Sequence, residues 1–323
     1  MKQRRTEPPR RASYFFALPM KNRVILPSAA VSFLSCIVAY FFLGHFDVSA
    51  QERLRTVEPV VRQTASVRKV EPLNSSTFIQ AASENSRLRN SLSWAFGGKT
   101  QTGWTIYAPL IGNTIGTEAE PDTSDFALAL SKWQATSNLP STGVLDNATL
   151  ESFTKYWQGR RLGKFGVQTG DSLQFAPITE FFDSTRSPDL LQLEQETYAA
   201  YKKMIAAAAK DLKHELQLTP SGDLAPNEKF LRIVSAYRSP EYQAELRRKE
   251  PNAGRAALAK NSPHSTGHAL DIYVGGEPVK TLDSNRLIQV QTPVYKWLVK
   301  NAHKFGFYPY FYEPWHWEYV PGR

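Results

Sequence analysis

The chain has 323 residues, 41% of them hydrophobic, and a formal net charge of +9. This length is enough for two modest domains with connecting segments, since a domain typically takes roughly 100 to 200 residues. Seven Lys and Arg and a single acid, Glu7, lie within residues 1–23, which leaves the other 300 residues near +3. Without a concentrated basic surface that carries interleaved aromatic residues, the composition gives no support for nucleic-acid binding.

A long apolar run follows the basic segment. Residues 24–46 contain no Lys, Arg, Asp or Glu, and they are about long enough to cross a bilayer as a helix, which takes roughly 20 residues. Because a cleavable signal peptide has a shorter apolar core, we expect an uncleaved transmembrane anchor, with such a signal as the alternative. The positive-inside rule then predicts that residues 1–23 are cytoplasmic and that everything after Phe46 lies outside the cytoplasm.

Polar residues dominate the next stretch and then give way to helical patterns. Residues 47–95 have no sustained apolar period and are expected to be a linker or stalk. Residues 124–139 and 146–157 each place apolar side chains at helical spacing behind a polar start signal. The side chains on the predicted apolar faces are Phe126, Ala129, Leu130, Trp133, Leu150, Phe153 and Trp157. A turn containing Pro140 and Gly143 separates the two predicted helices.

These helical patterns carry a short motif. The pair WQ at 133–134, Leu139 and the run TGVLDNATL at 142–150 resemble the three-helix peptidoglycan-binding repeat of bacterial cell-wall enzymes. The resemblance implies a small helical domain over residues 96–160, with peptidoglycan as its partner. An unrelated small helical domain is the alternative interpretation.

The C-terminal half mixes helices with short strands. Residues 161–189 are turn-rich and are expected to form a second linker. A long helix is predicted over about 190–216, a strand over 230–237, and a last helix over 292–307. This order predicts an α+β domain over residues 190–323, with a central antiparallel sheet flanked by helices.

The run SPHSTGHALDIYV at 262–274 sets two histidines four residues apart. Ser and Gly between them disfavour a helix, so a turn at 266–267 followed by a strand is the better interpretation. On such a strand His268 and Asp271 point to opposite faces. A carboxylate among apolar neighbours is costly unless a partner such as a metal compensates it, which favours Asp271 as a ligand. His264 can reach the same side from before the turn, whereas His268 is expected at a pocket rim or in a structural role.

A third ligand is expected from the run YEPWHWEYV at 312–320. His316 lies there among aromatic residues, and Glu313 lies three residues before it. A catalytic zinc site uses about three protein ligands and leaves one position open for water. We therefore predict that His264, Asp271 and His316 hold Zn²⁺, and that Glu313 is the general base.

Three motifs follow one another along the C-terminal half. They are SAYRSPEYQAEL at 235–246, SPHSTGHALD at 262–271 and EPWHWEYV at 313–320. Together they resemble the VanY-type zinc D-alanyl-D-alanine carboxypeptidases over roughly residues 190–323. The resemblance implies the same three ligands and the same base that the residues themselves favour.

Four further residues are assigned to the pocket. The resemblance implies that Arg238 is the cation that stabilises a developing oxyanion, whereas without the motif a surface salt bridge would be preferred. It also implies that Ser262 and Gln243 contact the substrate. Trp315 is expected to line the pocket, with aromatic core packing as the alternative.

These assignments predict a membrane-anchored zinc metallopeptidase of the bacterial inner membrane, with its catalytic domain on the extracytoplasmic side. It is expected to remove the terminal D-Ala from peptidoglycan stem peptides. Two alternatives stay open, an endopeptidase that cuts within the stem or cross-link and a non-catalytic zinc-containing wall-binding protein. The presence of both Glu313 and Arg238 argues against the second, because a structural zinc needs neither a base nor an oxyanion partner.

Overall fold

The computed structural model describes residues 75–163, 172–251 and 262–322. The basic segment and the apolar run predicted to be an anchor lie outside these ranges and stay predictions. None of the helices within the three ranges is long and apolar enough to cross a membrane. The described residues belong to one compact unit. We refer to residues 75–163 as the helical region and to the other two ranges as the sheet region.

Four α-helices and one hairpin make up the helical region. They are α1 (Ser75–Ser91), β1 (Ser93–Phe96), β2 (Lys99–Thr102), α2 (Ala108–Ile115), α3 (Ser124–Thr136) and α4 (Asn147–Gln158). Helix α3 is capped by Thr123 and α4 by Asp146, whose side chains accept hydrogen bonds from backbone N–H groups of the first turn. Both helices that the apolar patterns predicted are therefore present. The region also has a fourth helix and a hairpin, and the three-helix repeat stays a prediction.

The linker predicted over residues 47–95 does not hold for its last part, because α1 and β1 lie within it. Helix α1 buries a polar residue, Asn85, whose side chain donates to the carbonyl of Gly143 and accepts from the N–H of Leu145, both at 2.8 Å. These contacts reach across about 60 residues of sequence, so apolar periodicity could not reveal them. Residues 47–74 lie outside the described part of the chain.

An antiparallel four-stranded sheet in the order β5-β6-β8-β7 forms the centre of the sheet region, which confirms the α+β class. The elements of this region are β3 (Leu173–Phe175), β4 (Gln192–Glu194), α5 (Gln195–Asp211), β5 (Ile233–Ser235), α6 (Pro240–Lys249), β6 (Ala269–Ile272), α7 (Asp283–Gln291), α8 (Pro293–Asn301), β7 (Phe307–Pro309) and β8 (His316–Tyr319). The register places Asp271 of β6 opposite His316 of β8 and next to Ser235 of β5. The sheet thus brings residues from three separate motifs side by side.

Three predicted boundaries are wrong. The helix expected over 292–307 ends at Asn301, and Phe307 begins β7. The helix expected over about 190–216 begins at Gln195, because residues 192–194 pair with β3 as strand β4. The strand expected over 230–237 is only three residues long. Leu231 has a φ of 64°, a left-handed conformation that cannot continue a strand.

One hydrophobic core runs through both regions. The ring of Phe311 in the sheet region lies 5.7 Å from Trp157 and 5.6 Å from Tyr107 of the helical region, measured between centroids. The linker predicted over 161–189 does not hold for its described residues, since Phe181 is buried in the same core and β3 pairs with β4. The helical region therefore packs directly against the sheet region.

Candidate active site

Three buried side chains converge on the sheet. Asp271 on β6 lies opposite His316, the first residue of β8, and His264 lies in the short 3₁₀ turn Pro263–Thr266. The Oδ1 atom of Asp271 is 2.9 Å from Nδ1 of His316 and 3.3 Å from Nε2 of His264. One possible ligand atom from each residue lies within 4.8 Å of the others. The structure thus brings together the three predicted ligands, and two imidazoles with a carboxylate suit Zn²⁺.

The proton on His264 is placed by its surroundings. Its Nδ1 atom is 2.7 Å from the carbonyl oxygen of Ala236, which can only accept, so Nδ1 carries the proton. Burial, together with the charge of Arg238, lowers the pKa of His264 to about 4, and the ring is neutral at pH 7. Its unprotonated Nε2 therefore faces the carboxylate of Asp271, and a cation between these two electron-rich atoms would satisfy both.

His316 lies between two carboxylates. Its Nδ1 atom contacts Asp271, and its Nε2 atom is 3.1 Å from Oε1 of Glu318. Burial alone would lower the pKa of His316, but the hydrogen bonds to the two carboxylates outweigh it and raise the pKa to about 9. A metal at Nδ1 would therefore displace a proton, while Glu318 would keep the one on Nε2.

Arg238 contacts a predicted metal ligand directly. Its Nη2 atom donates to Oδ2 of Asp271 at 2.5 Å, and its Nε atom donates to Oγ of Ser235 at 2.8 Å. Burial would raise the pKa of Asp271, but His264 and Arg238 outweigh it and hold the pKa well below its usual range. The resemblance implied that Arg238 stabilises a developing oxyanion, and the structure shows in addition that Arg238 contacts the predicted ligand Asp271.

Glu313 lies in the turn that leads into β8. Its side chain is buried, and among the residues that the structure describes none donates a hydrogen bond to its carboxylate. Burial, helped by the negative charge of Asp271, raises the pKa of Glu313 to about 8. Its backbone carbonyl accepts from the N–H of His316 at 2.9 Å, which ties the predicted base to the predicted ligand set.

The three predicted substrate-binding residues are all buried. Ser262 caps the turn that carries His264, since its Oγ atom accepts from the backbone N–H of His264 at 3.3 Å. Gln243 lies on α6, the helix that follows Arg238. Trp315 is 3% exposed and belongs to the hydrophobic core, which favours the packing alternative over a wall position.

His268 has a structural role. It faces away from the ligand set, and its Nδ1 atom is 2.9 Å from Oγ1 of Thr197 and 3.5 Å from Oε2 of Glu194. Glu194 is the N-cap of α5, so His268 supports the start of that helix. Gly267 fixes the same junction: its φ is +73°, and a Cβ there would lie 2.9 Å from the backbone nitrogen of Glu194.

Sequence reasoning missed Glu318. It is 1% exposed on β8 and lies two residues after His316, so both side chains point to one face of the strand. An acid within the apolar run HWEYV was a usable signal, because the same argument had identified Asp271. Its partner Arg161 gave no signal, since it lies 157 residues away in sequence.

Comparisons with known proteins bear on the sheet region. Residues 190–322 match the family model described as VanY, D-alanyl-D-alanine carboxypeptidase. No curated protein matches the chain. The resemblance to VanY-type carboxypeptidases is therefore confirmed for residues 190–322, and the peptidoglycan-binding repeat before them stays a prediction.

Two solved structures are similar to part of the chain. The first is the LdcB LD-carboxypeptidase, in a study of peptidoglycan recognition, with 27% identity, coverage of 46% of this chain and 68% of that one, and a TM-score of 0.32. The second is a zinc complex of a variant of the D,D-pentapeptidase VanY from a VanB-type resistance cassette, with 22% identity, coverage of 40% and 73%, and a TM-score of 0.27. With TM-scores this low, these similarities add nothing to the geometry above.

Proposed function

We propose that this chain is a zinc metallopeptidase that hydrolyses peptidoglycan stem peptides and removes their terminal D-Ala. The observation that carries the proposal is the buried set of His264, Asp271 and His316, with Glu313 buried three residues before His316. The carboxypeptidase family match over residues 190–322 supports the substrate class.

The atoms that would hold the metal are Nε2 of His264, Oδ1 of Asp271 and Nδ1 of His316, which already lie next to one another. When bound, Zn²⁺ supplies Lewis acidity and lowers the pKa of a water molecule to about 7. Ala236 and Glu318 hold the outer nitrogens of the two histidines, and these contacts keep the inner nitrogens directed at Asp271.

Glu313 moves the proton. Its carboxylate accepts a proton from the water that attacks the peptide carbonyl and then donates it to the leaving nitrogen. In the metal-free protein burial raises the pKa of Glu313 to about 8, so this carboxylate is a stronger base than that of an exposed glutamate.

Arg238 supplies a fixed positive charge next to the ligand set. The bonds from its guanidinium to Asp271 and Ser235 hold it in one position. From there its charge stabilises an oxyanion or a substrate carboxylate without further reorganisation.

The test is incubation of the purified full chain with defined muropeptides, some ending in D-Ala-D-Ala and some cross-linked, with and without a chelator. We expect loss of one alanine from the pentapeptide, detected by mass, and no reaction after chelation. Cleavage inside the stem or at the cross-link would replace the carboxypeptidase by the endopeptidase. If zinc binds and no product forms, the wall-binding alternative is correct.

We also propose that residues 24–46 anchor the chain in the inner membrane and that the helical region binds peptidoglycan. The apolar run behind a basic segment supports the first and the motif at 133–150 supports the second. Extraction of bacterial membranes with carbonate tests the anchor, since an anchored chain stays in the pellet. Release into the supernatant would contradict it.

A further inference from the structure

Glu318 is a buried carboxylate that contacts a metal ligand from outside. It is 1% exposed, and its Oε1 atom lies 3.1 Å from Nε2 of His316. This nitrogen is the one that faces away from Asp271. Glu318 therefore sets the rotation of the His316 ring and so the direction of Nδ1.

The segment that follows α4 holds Glu318 in place. Arg161 donates from Nε to Oε1 at 3.0 Å and contacts the same oxygen through Nη2, while the backbone N–H of Leu162 donates to Oε2 at 3.0 Å. Both carboxylate oxygens thus receive donors from two consecutive residues. The carboxylate has little freedom to rotate or withdraw.

Arg161 is itself fixed. Its Nη1 atom donates to the side chain of Gln158, the last residue of α4, at 2.6 Å. Its guanidinium lies over the ring of Tyr310, 4.1 Å from the centroid, and its side chain is 17% exposed. A rigid chain of contacts therefore runs from the end of α4 through Arg161 and Glu318 to His316.

A buried ion pair contributes little net stability to the contact between two parts of a protein. The cost of removing both charges from water often exceeds their mutual attraction, and apolar side chains of the same size would hold the regions together at least as well. A carboxylate on the outer nitrogen of a ligand histidine, in contrast, has a known use, because it fixes the ring and its tautomer for metal binding.

We propose that Arg161 and Glu318 are positioning residues for His316, so that the segment after α4 completes the metal centre of the sheet region. The inference rests on the proposed function, because it concerns the same centre. It gives the helical region a second task besides the predicted binding of peptidoglycan.

The interface between the two regions offers matched controls. Lys300 of α8 contacts Glu118 at 2.6 Å on the surface, and Tyr107 accepts a hydrogen bond from Arg286 at 3.1 Å in the interior. Neither pair contacts His264, Asp271 or His316. Substitutions there weaken the same interface without reaching the ligands.

The experiment measures the zinc dissociation constant of the full chain by competition with a chelator. We expect Glu318→Gln to weaken zinc binding about 10- to 100-fold, the range for outer partners of metal ligands, and Arg161→Gln to weaken it roughly 10-fold. The double variant is expected to match Glu318→Gln alone, since both residues act through one chain of contacts. Lys300→Ala and Tyr107→Phe are expected to leave zinc affinity unchanged.

The direction in which zinc affinity changes in Arg161→Gln distinguishes positioning from simple electrostatics. Removing a positive charge near the centre should by electrostatics alone strengthen binding of a dication, whereas loss of positioning weakens it. Zinc affinity in Arg161→Gln that equals or exceeds the wild-type value overturns the inference, and so does equal weakening in the two controls. Circular dichroism checks folding, and if Glu318→Gln fails to fold, Arg161→Gln alone decides. If the unaltered chain binds no zinc, the proposed function fails instead.

Discussion

Two carboxylates of the sheet region are equally buried, and only one of them belongs to the candidate site. Glu180 and Asp271 are each 2% exposed. Each pairs with a cation at 2.5 Å, Glu180 with Lys202 and Asp271 with Arg238. Burial and ion pairing therefore do not distinguish them.

The remaining partners of the two groups do distinguish them. Glu180 lies 3.5 and 3.4 Å from the hydroxyl groups of Tyr198 and Tyr201, and the hydroxyl of Tyr201 donates to the carbonyl of Leu231 at 2.9 Å. These groups form a structural network. The second oxygen of Asp271 meets two imidazole nitrogens, which can also bind a metal. A buried carboxylate is thus marked as functional by the chemistry of the groups that converge on it.

The largest effect on zinc binding and hydrolysis is expected from a substitution of Asp271. Asp271→Asn removes the only carboxylate of the ligand set and leaves Arg238 without its charge partner, so we expect loss of bound zinc and of hydrolysis. Metal analysis after gel filtration and the muropeptide assay measure both. Glu180→Gln is the matched control and should retain zinc. Zinc in Asp271→Asn at the wild-type level would remove Asp271 from the ligand set.

Glu313 is a third buried carboxylate of the sheet region. We expect it to transfer protons without binding the metal. We expect Glu313→Gln to lower kcat by about 10²- to 10⁴-fold, the usual contribution of a general base. Zinc affinity should stay at the wild-type value, because Glu313 is not a ligand. Loss of zinc in this variant would show that base and ligand had been exchanged.

Glu180 is expected to contribute to the stability of the fold and not to hydrolysis. Glu180→Gln leaves Lys202 with its second partner Asp223, 2.7 Å away, so we expect the free energy of unfolding to fall by about 1–3 kcal/mol. Urea denaturation of the metal-free chain measures this change. A change in kcat/KM of the zinc-loaded protein would contradict a purely structural role.

The smallest expected effect is the release of protons when zinc binds, which should depend on His316 and not on His268. His316, with a pKa of about 9 in the metal-free protein, is charged at pH 7 and must become neutral to bind zinc, so binding releases at least one proton. Apparent affinity therefore rises with pH and levels off above about 9. Calorimetry in buffers of different ionisation enthalpy counts the protons. His268→Gln should leave the count unchanged, and zero protons released would contradict the raised pKa.

The predicted ligand set followed from short-range rules. Two of the three ligands lie within one run, 262–274, where the turn and the alternation of a strand decide which side chains share a face. The family motifs then supplied Arg238. Local sequence was sufficient here because the turn at Gly267 and the strand β6 are themselves local.

What the sequence did not reveal depends on contacts between distant residues. Helix α1 is fixed through Asn85 to residues 143 and 145, and Glu318 through Arg161. Both contacts join polar groups, which leave no apolar period to detect. The pairing of β3 with β4 likewise shortened a predicted helix, since pairing across a gap in sequence overrides local propensity.

The register of β6 against β8 has a consequence for how the protein reaches its final fold. Asp271 faces His316 only in the observed pairing, and a slip of one residue would turn every side chain of one strand to the other face. A slipped sheet would lose the set of converging ligands altogether. Zinc, by binding the native pairing alone, would stabilise it over slipped ones by mass action. The metal centre would thus favour the correct strand register during folding, in addition to its proposed role in hydrolysis.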